Sequence, residues 1–537
     1  MKTYVIAYDV GTTGVKTCLF SIGTSIELIA SASQGYGLTI LPDGGAEQNA
    51  DEWWDAMCVT TARIFRKTEV RPEEIAGLSF CSQMQGVVVV DKEGKALRNP
   101  MSYMDQRSKE ELKKGIAYGP QFAGANLAIL AKSLYLTKAV TSSVKDPVWK
   151  YKWIEAHEPG VYQNIYKWLD VKEYLIGRCT GNFVMTEDSA YATLLYDTRK
   201  GHEGWSRSLC KTFGINMDHL PPVVKSTDQI GVLTEKAAAE LGLPEGTPVF
   251  GGGGDASLIG VGAGAVRVGD THIYSGTSGW VGTVVDRQVV DPVTMIASVV
   301  GAQPGRYHYF AEMETAAKCF EWVKDHLALD EVDIYLEKHD VTESHDTYEA
   351  TYTSLYDFLS EVVSRVPAGS HGVIFTPWLH GNRCPFEDPN AAGMFFNLNI
   401  ETGKSDLMRA VLEGIAFHLR WMLECEERKV HTSEAIRFVG GGALSPVTCQ
   451  ILADILNRPV ETVDHPQNVG AVGAAAVAGV GLGLIRSVED VRDFIPVTGT
   501  YYPTPENRAV YDRNYAVFQT LHKNNQKAFR ALNGDHP

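Results

Sequence analysis

Short apolar runs separated by Gly-rich turns dominate the first part of the chain. In "IAYDVGTTGVKTCLF" (residues 6–20), a Gly/Thr turn separates two apolar runs, and residues 3–20 predict a β-hairpin. "IAGLSFCSQMQGVVVVDKEG" (75–94) predicts two further strands around the segment 82–86. From about Asp105 to Arg178 the pattern turns mixed and largely helical, with aromatics at Trp149, Tyr151, Trp153 and Trp168. "TEKAAAELGLP" (234–244) predicts a helix capped by Thr234 and stopped at Gly242. A strand, four glycines and the isolated charge of Asp255 follow, and we place a domain division at 247, giving units 1–247 and 248–537.

The first hairpin has a counterpart half a chain away. "IYSGTSGWVGTVV" (273–285) repeats the order of apolar strand, Gly-Thr-Ser turn and apolar strand. One such hairpin near the start of each half predicts two similar domains facing each other across a cleft. Further on, "AIRFVGGGALSPVTCQILADILNRPV" (435–460) delivers three glycines to a helix with Ser445 as N-cap, Pro446 at its first position, and Asn457 and Pro459 closing it.

Composition narrows the partners. The chain has 537 residues, 49 basic against 65 acidic, for a formal net charge of −16. That balance argues against nucleic acid or an anionic membrane as the main partner. Nine scattered cysteines form no C-x-x-C pair, which predicts neither a zinc site nor a disulfide framework. Val469 to Ile485 carries no charge, but it is mostly Gly and Ala and shorter than the ~20 strongly apolar residues of a membrane span. A closely packed buried helix is the expectation. Asp9 interrupts the N-terminal apolar run, so no signal peptide is expected and the protein is placed in the cytoplasm. Whether two copies pair as a homodimer is left open.

The two turns carry the candidate chemistry. "GTTGVKT" is not a Walker A loop, because Lys16 stands two residues past Gly14 and the following segment is a strand. Gly and Thr turns can nonetheless present backbone N–H groups and hydroxyls to phosphate oxygens. Asp9 could hold a Mg²⁺ that neutralises such oxygens. Asp255, alone among glycines and aliphatics, is a candidate proton acceptor for a hydroxyl attacking a phosphate, or else the N-cap of a helix from Ala256. Asp105 and Arg107 fit either a pocket lining or a helix start, and His380 lies in the irregular loop 376–393.

The order of the D-x-G-T-T hairpin, "SQMQG", "MDQR", "GGGGD", "SGTSGW" and "GGGALSPVTCQILADIL" resembles the FGGY carbohydrate kinases of the actin-like ATPase superfamily, over residues 3–500. "PVWKYKWIEAHEP" (147–159), with Pro147, Lys150 and Trp153, is similar to one family signature. "GMFFNLNIETGKSDLMRAVLEGIAF" (393–417) is similar to the other, with Asn397 where glycine is usual. The resemblance implies an α/β fold of two ribonuclease-H-like domains across a nucleotide/sugar cleft, an ATP-dependent sugar kinase activity, and ATP and Mg²⁺ in the cleft. It implies Asp9 at the metal, Gly11, Thr12, Thr13, Gly276, Thr277 and Ser278 around the phosphates, and Gly441, Gly442 and Ala443 at the adenosine. It also implies Asp255 as base, and Met84, Gln85, Asp105 and Arg107 beside the sugar. Within the family the chain looks most like the xylulokinase branch, which implies a ketopentose. Gln85 and Ala256 replace the His and Asn common there, so another ketose, polyol or sugar acid stays in view. A chaperone-like ATPase switch using the 149–168 aromatics as an interaction face is the alternative of a different class.

Overall fold

The computed structural model describes residues 2–122, 124–328 and 358–534. The first predicted hairpin forms as β1 (Thr3–Val10) and β2 (Gly14–Ile22), and β3 (Ile26–Gly35) continues the meander. Helix α1 (Ala50–Lys67) then crosses over, capped by the Asn49 side chain, and β4 (Ile75–Ser82) returns parallel to β1. Strands β5 (Gln229–Val232) and β6 (Pro248–Phe250) complete a sheet of order β5-β6-β4-β1-β2-β3.

The second sheet repeats this plan. Its core strands are β7 (Thr271–Ser275), β8 (Gly279–Val285), β9 (Val290–Asp291), β10 (Ile296–Val300) and β11 (Tyr307–Met313). With β12 (Ile436–Val439), β13 (Val460–Val463) and β14 (Val497–Tyr501) the order is β9-β10-β11-β8-β7-β12-β13-β14. In each sheet an antiparallel meander is followed by two parallel strands on the far side of the hairpin's first strand, and then by an antiparallel edge. The likeness of the two hairpins therefore extends to both sheets. The division at 247 needs correction. β6 and the pair Gly253–Gly254 still hydrogen-bond to β4, so the chain leaves the first sheet only after Gly254.

Helices α2 (Pro147–His157) and α3 (Val171–Thr180) belong to the first half; α4 (Asp255–Gly262) starts directly after its last strand. Helices α5 (Lys404–Glu427), α6 (Pro446–Leu456) and α8 (Arg508–Asn533) share one core with the second sheet. Between the sheets lie α4 and α7 (Val469–Gly481), in a core that joins Val5, Ala7 and Phe20 of the first sheet to Trp280 and Val439 of the second. The small residues of α7 are there for contact: a Cβ on Gly473 would stand 2.2 Å from the Leu258 carbonyl oxygen, and one on Gly262 1.8 Å from that of Val469. α4 and α7 thus meet backbone to backbone. Among the described residues no helix is long and apolar enough to cross a membrane. All nine cysteines are free thiols, and only Cys58 is not buried. Trp149, Tyr151 and Trp168 are buried as well, which removes the interaction face considered for that stretch.

Candidate active site

Strand alternation sets which residues of β1 reach the cleft. Ile6, Tyr8 and Val10 join the core that includes α1, while Val5 and Ala7 join the core that includes α7. Asp9 falls on the latter face at the end of the strand, where a Cβ on Gly470 of α7 would lie 3.0 Å from its Oδ2. Burial raises the Asp9 carboxyl above its ordinary value, against the opposing effects of Lys16 and of a hydrogen bond with the Cys81 thiol. Lys16 is its direct cross-strand partner, and its Nζ donates to the Gln467 carbonyl at 3.2 Å.

The first turn is held from behind. The Tyr36 hydroxyl donates to the Gly11 carbonyl at 2.5 Å and to that of Gly14 at 3.0 Å. Gln48 Nε2 donates to the Thr12 carbonyl at 2.6 Å, and the Tyr36 N–H to that of Thr13 at 3.0 Å. The Gly11 N–H closes the turn onto the Gly14 carbonyl at 2.9 Å, so the N–H groups of Thr12 and Thr13 and the Thr13 hydroxyl are the donors the turn can offer an anion. The second turn is built alike: the Ala317 and Ala316 N–H groups donate to the carbonyls of Gly276 and Thr277, at 2.8 and 3.0 Å. Tyr274 stacks on Trp280 at 4.1 Å between ring centroids, and its hydroxyl sits so close to Gly276 that a Cβ there would be 2.2 Å away.

Gly440, with φ of 92°, passes against the Ser275 carbonyl, where a Cβ would come within 2.5 Å. Ser445 then caps α6 by accepting the Thr448 N–H. A cavity of about 310 Å³ opens beside this segment, lined by Thr277, Lys318, Phe438, Gly441, Gly442 and Thr448 among others. Ala443 lines an adjoining hollow of about 300 Å³ together with His465 and Gln467, and Leu444 lines both.

Asp255 opens α4, with Gly254 rather than Asp255 as the N-cap, and its Oδ1 accepts the Ala256 N–H at 2.8 Å. The four glycines before it let the backbone pass over β4: a Cβ on Gly252 would stand 2.1 Å from the Phe80 carbonyl oxygen, and one on Gly254 2.1 Å from Met84 Sδ. Burial pushes the Asp255 carboxyl up to about 7, and the charges of Asp9, Glu312 and Asp188 act in the same direction.

Met84 and Gln85 follow β4 into the same region, and Gln85 takes a positive φ of 62°. Lys150 of α2 fixes that conformation, donating to the carbonyls of Gln85 at 2.7 Å and Ser102 at 2.9 Å. The Lys150 ammonium is fully buried, which pushes it down to about 8, against the carboxylates of Asp105, Asp170 and Asp146. Asp105 and Arg107 meet each other. Asp105 is fully buried and accepts from Arg107 at 2.7 Å and from the Ala46 N–H at 2.9 Å. Arg107 also pairs with Glu47 at 2.6 Å and lies 4.4 Å over the Trp153 ring, which accounts for that signature tryptophan. His380 is exposed.

Nothing local marks Tyr36 and Gln48 as partners of turn carbonyls, and the failed Walker A spacing draws attention away from Lys16. Period-two alternation alone would have placed Lys16 on the face of Asp9.

Two duplicated sheets, a glycine-lined cavity and a carboxylate at the start of a helix between the sheets define a two-domain phosphotransferase. The chain belongs to the FGGY family of carbohydrate kinases: the N-terminal domain of that family matches residues 4–262 and the C-terminal domain residues 272–482. It is 28% identical over 532 residues to the xylulose kinase of Bacillus subtilis (strain 168), covering 98% of each chain. To the gluconokinase of the same organism it is 27% identical over 543 residues, covering 97% of this chain and 96% of that one. The ligand-bound xylulose kinase from Lactobacillus acidophilus superposes with a TM-score of 0.83 at 25% identity, covering 99% of this chain and 100% of that one. The protein is thus an ATP-dependent sugar phosphotransferase, with ATP and a sugar as its small-molecule substrates.

Proposed function

We propose that this kinase transfers the γ-phosphoryl group of ATP to D-xylulose, giving D-xylulose 5-phosphate and ADP, with Asp255 as general base. The observation that carries the assignment of the base is the place of Asp255: first residue of α4, directly after Gly254, which packs against Met84, and with a carboxyl pushed up to about 7. Such a carboxylate can take the proton of the attacking hydroxyl as the new O–P bond forms and the bond to the ADP oxygen breaks. Gly11 to Thr13 and Gly276 to Ser278 offer donors to the phosphate oxygens, and Gly441 and Gly442 line the cavity for the adenosine. Lys150 and Arg107 hold the sugar end in shape.

Asp9 fits a Mg²⁺ site. Among the described residues no three His, Cys, Asp or Glu side chains cluster as metal ligands, and Mg²⁺ ordinarily takes one or two carboxylates together with phosphate oxygens and water. When bound, the ion supplies charge neutralisation on the phosphates.

Xylulose kinases and gluconokinases both match along nearly the whole chain, so one observation favours a neutral ketose over a sugar acid. Arg383 is paired with Glu312 at 2.9 Å, and the charges of Asp255, Glu312 and Glu314 all bear on Tyr103, which disfavours a substrate carboxylate. Coupled ADP release across D-xylulose, D-ribulose, erythritol, glycerol and D-gluconate tests the substrate; a higher kcat/KM for gluconate would overturn it. Asp255→Ala should abolish sugar-dependent ADP release while ATP still binds, and near-normal turnover would remove Asp255 from its role.

A further inference from the structure

We propose that Asp188 is a positioning residue for phosphoryl transfer: its buried carboxylate holds the start of α4 and thereby fixes where the Asp255 carboxylate points. This inference rests on the reading of Asp255 as the base.

Asp188 is 1% exposed and lies in the short helix Glu187–Ala192. Its Oδ2 accepts the Gly254 N–H at 2.7 Å and also the Ser257 hydroxyl. These two donors flank Asp255, one residue before it and two after it. Gly254 is the N-cap of α4 and has no side chain to cap with, so Asp188 satisfies a helix-start donor from a distant part of the chain. The first turn of α4 is pinned on both sides of the base.

Asp188 is itself held by charge. Its Oδ1 accepts from the Thr186 hydroxyl at 2.5 Å, and that hydroxyl accepts from Lys172 Nζ at 2.6 Å. Lys172 also donates to Ser189 Oγ at 2.5 Å and pairs with Glu173. Lys172 and Glu173 have no exposed surface. Burial opposes ionisation of Asp188, but Lys172 and the hydrogen bonds from Ser257, Thr186 and Gly254 outweigh it and hold the carboxyl below its ordinary value. Asp188 therefore remains an anion where Asp255 titrates. A buried ionic network of this kind is weak evidence for stability, since apolar replacements of such groups often leave stability unchanged or improved. Its chain of contacts runs from α3 to the helix start that carries Asp255, and placing that carboxylate is the function it suits.

Steady-state kinetics, with ATP and the best sugar of the panel, decide the matter. Asp188→Asn should lower kcat by about 30- to 100-fold, the cost of misplacing a reacting group by a fraction of an ångström to an ångström. Both KM values should stay within about threefold, because binding contacts are untouched. Ser257→Ala, which leaves the Lys172 network intact, should lower kcat by about fivefold with KM unchanged. In an Asp255→Asn background, Asp188→Asn should cost no further residual turnover, as expected for two residues acting as a unit. Wild-type kcat in Ser257→Ala, or an additive loss in the double variant, overturns the proposal. If Asp188→Asn fails to fold, Ser257→Ala decides alone. Near-normal turnover in Asp255→Asn would instead overturn the assignment of the base, so the two failures are distinguishable.

Discussion

Lys16 stands directly across the first hairpin from Asp9, and its ammonium reaches the Gln467 carbonyl just before α7. Cross-strand partners share a face of the sheet, so the residue whose spacing fails the Walker A pattern still arrives beside the phosphate turn by a different route. Its positive charge also offsets part of the burial that raises Asp9.

Lys16→Met should therefore weaken the nucleotide end of the reaction. The expected outcome is a kcat/KM for ATP reduced by about tenfold, in line with loss of one charged contact, with the sugar KM unchanged. Initial-rate kinetics varying each substrate in turn check this, and an unchanged ATP dependence would contradict it.

Lys150→Met should act at the other end. Its loss leaves the Gln85 and Ser102 carbonyls without their donor and releases Gln85 from its positive φ. The sugar KM should rise by about tenfold, with ATP binding unaltered. Equal effects on both substrates would point to general destabilisation instead.

The pH dependence follows from Asp255. A base must be deprotonated to work, so kcat/KM for the sugar should fall tenfold per pH unit below about 7 and level off above it. An acid limb at the ordinary carboxylate range, about 4, would show that Asp255 is not the titrating base.

Stability carries a separate pH signature. Glu426 is buried, accepts from Thr283 at 2.6 Å, and has its carboxyl raised well above the ordinary 4.5 by burial. The unfolded chain loses this proton first. The stability it contributes is full below pH 4.5 and is lost as pH rises through its raised folded value. Glu426→Gln should raise the urea midpoint at pH near 8 and leave it unchanged at pH near 4. Identical shifts at both would refute this origin.

The contact of the central helices is the last target. Gly473→Ala drives a methyl group toward the Leu258 carbonyl oxygen, and should cost about 1–3 kcal/mol of stability. Thermal denaturation checks it, and an unchanged midpoint would show that α4 and α7 can separate freely.

Much of this arrangement is written locally. Both hairpins, the caps of α6 and the helix from Thr234 formed as their turn and cap residues dictate, since those signals act within a few residues. Asn397, standing where glycine is usual, adopts φ of 68°, a conformation asparagine tolerates better than most residues. The order of motifs was sufficient for the family.

Long-range pairing was not legible. That β6 still belongs to the first sheet and that Arg107, paired with Asp105, lies over Trp153 depend on residues far apart in sequence. Strands, turns and isolated carboxylates can be read along the chain because backbone propensity and alternation are local properties, and alternation reaches as far as Lys16 opposite Asp9. Asp188 and Lys150 take their places around those elements through the fold, because a buried charge is placed by whichever distant partner satisfies it.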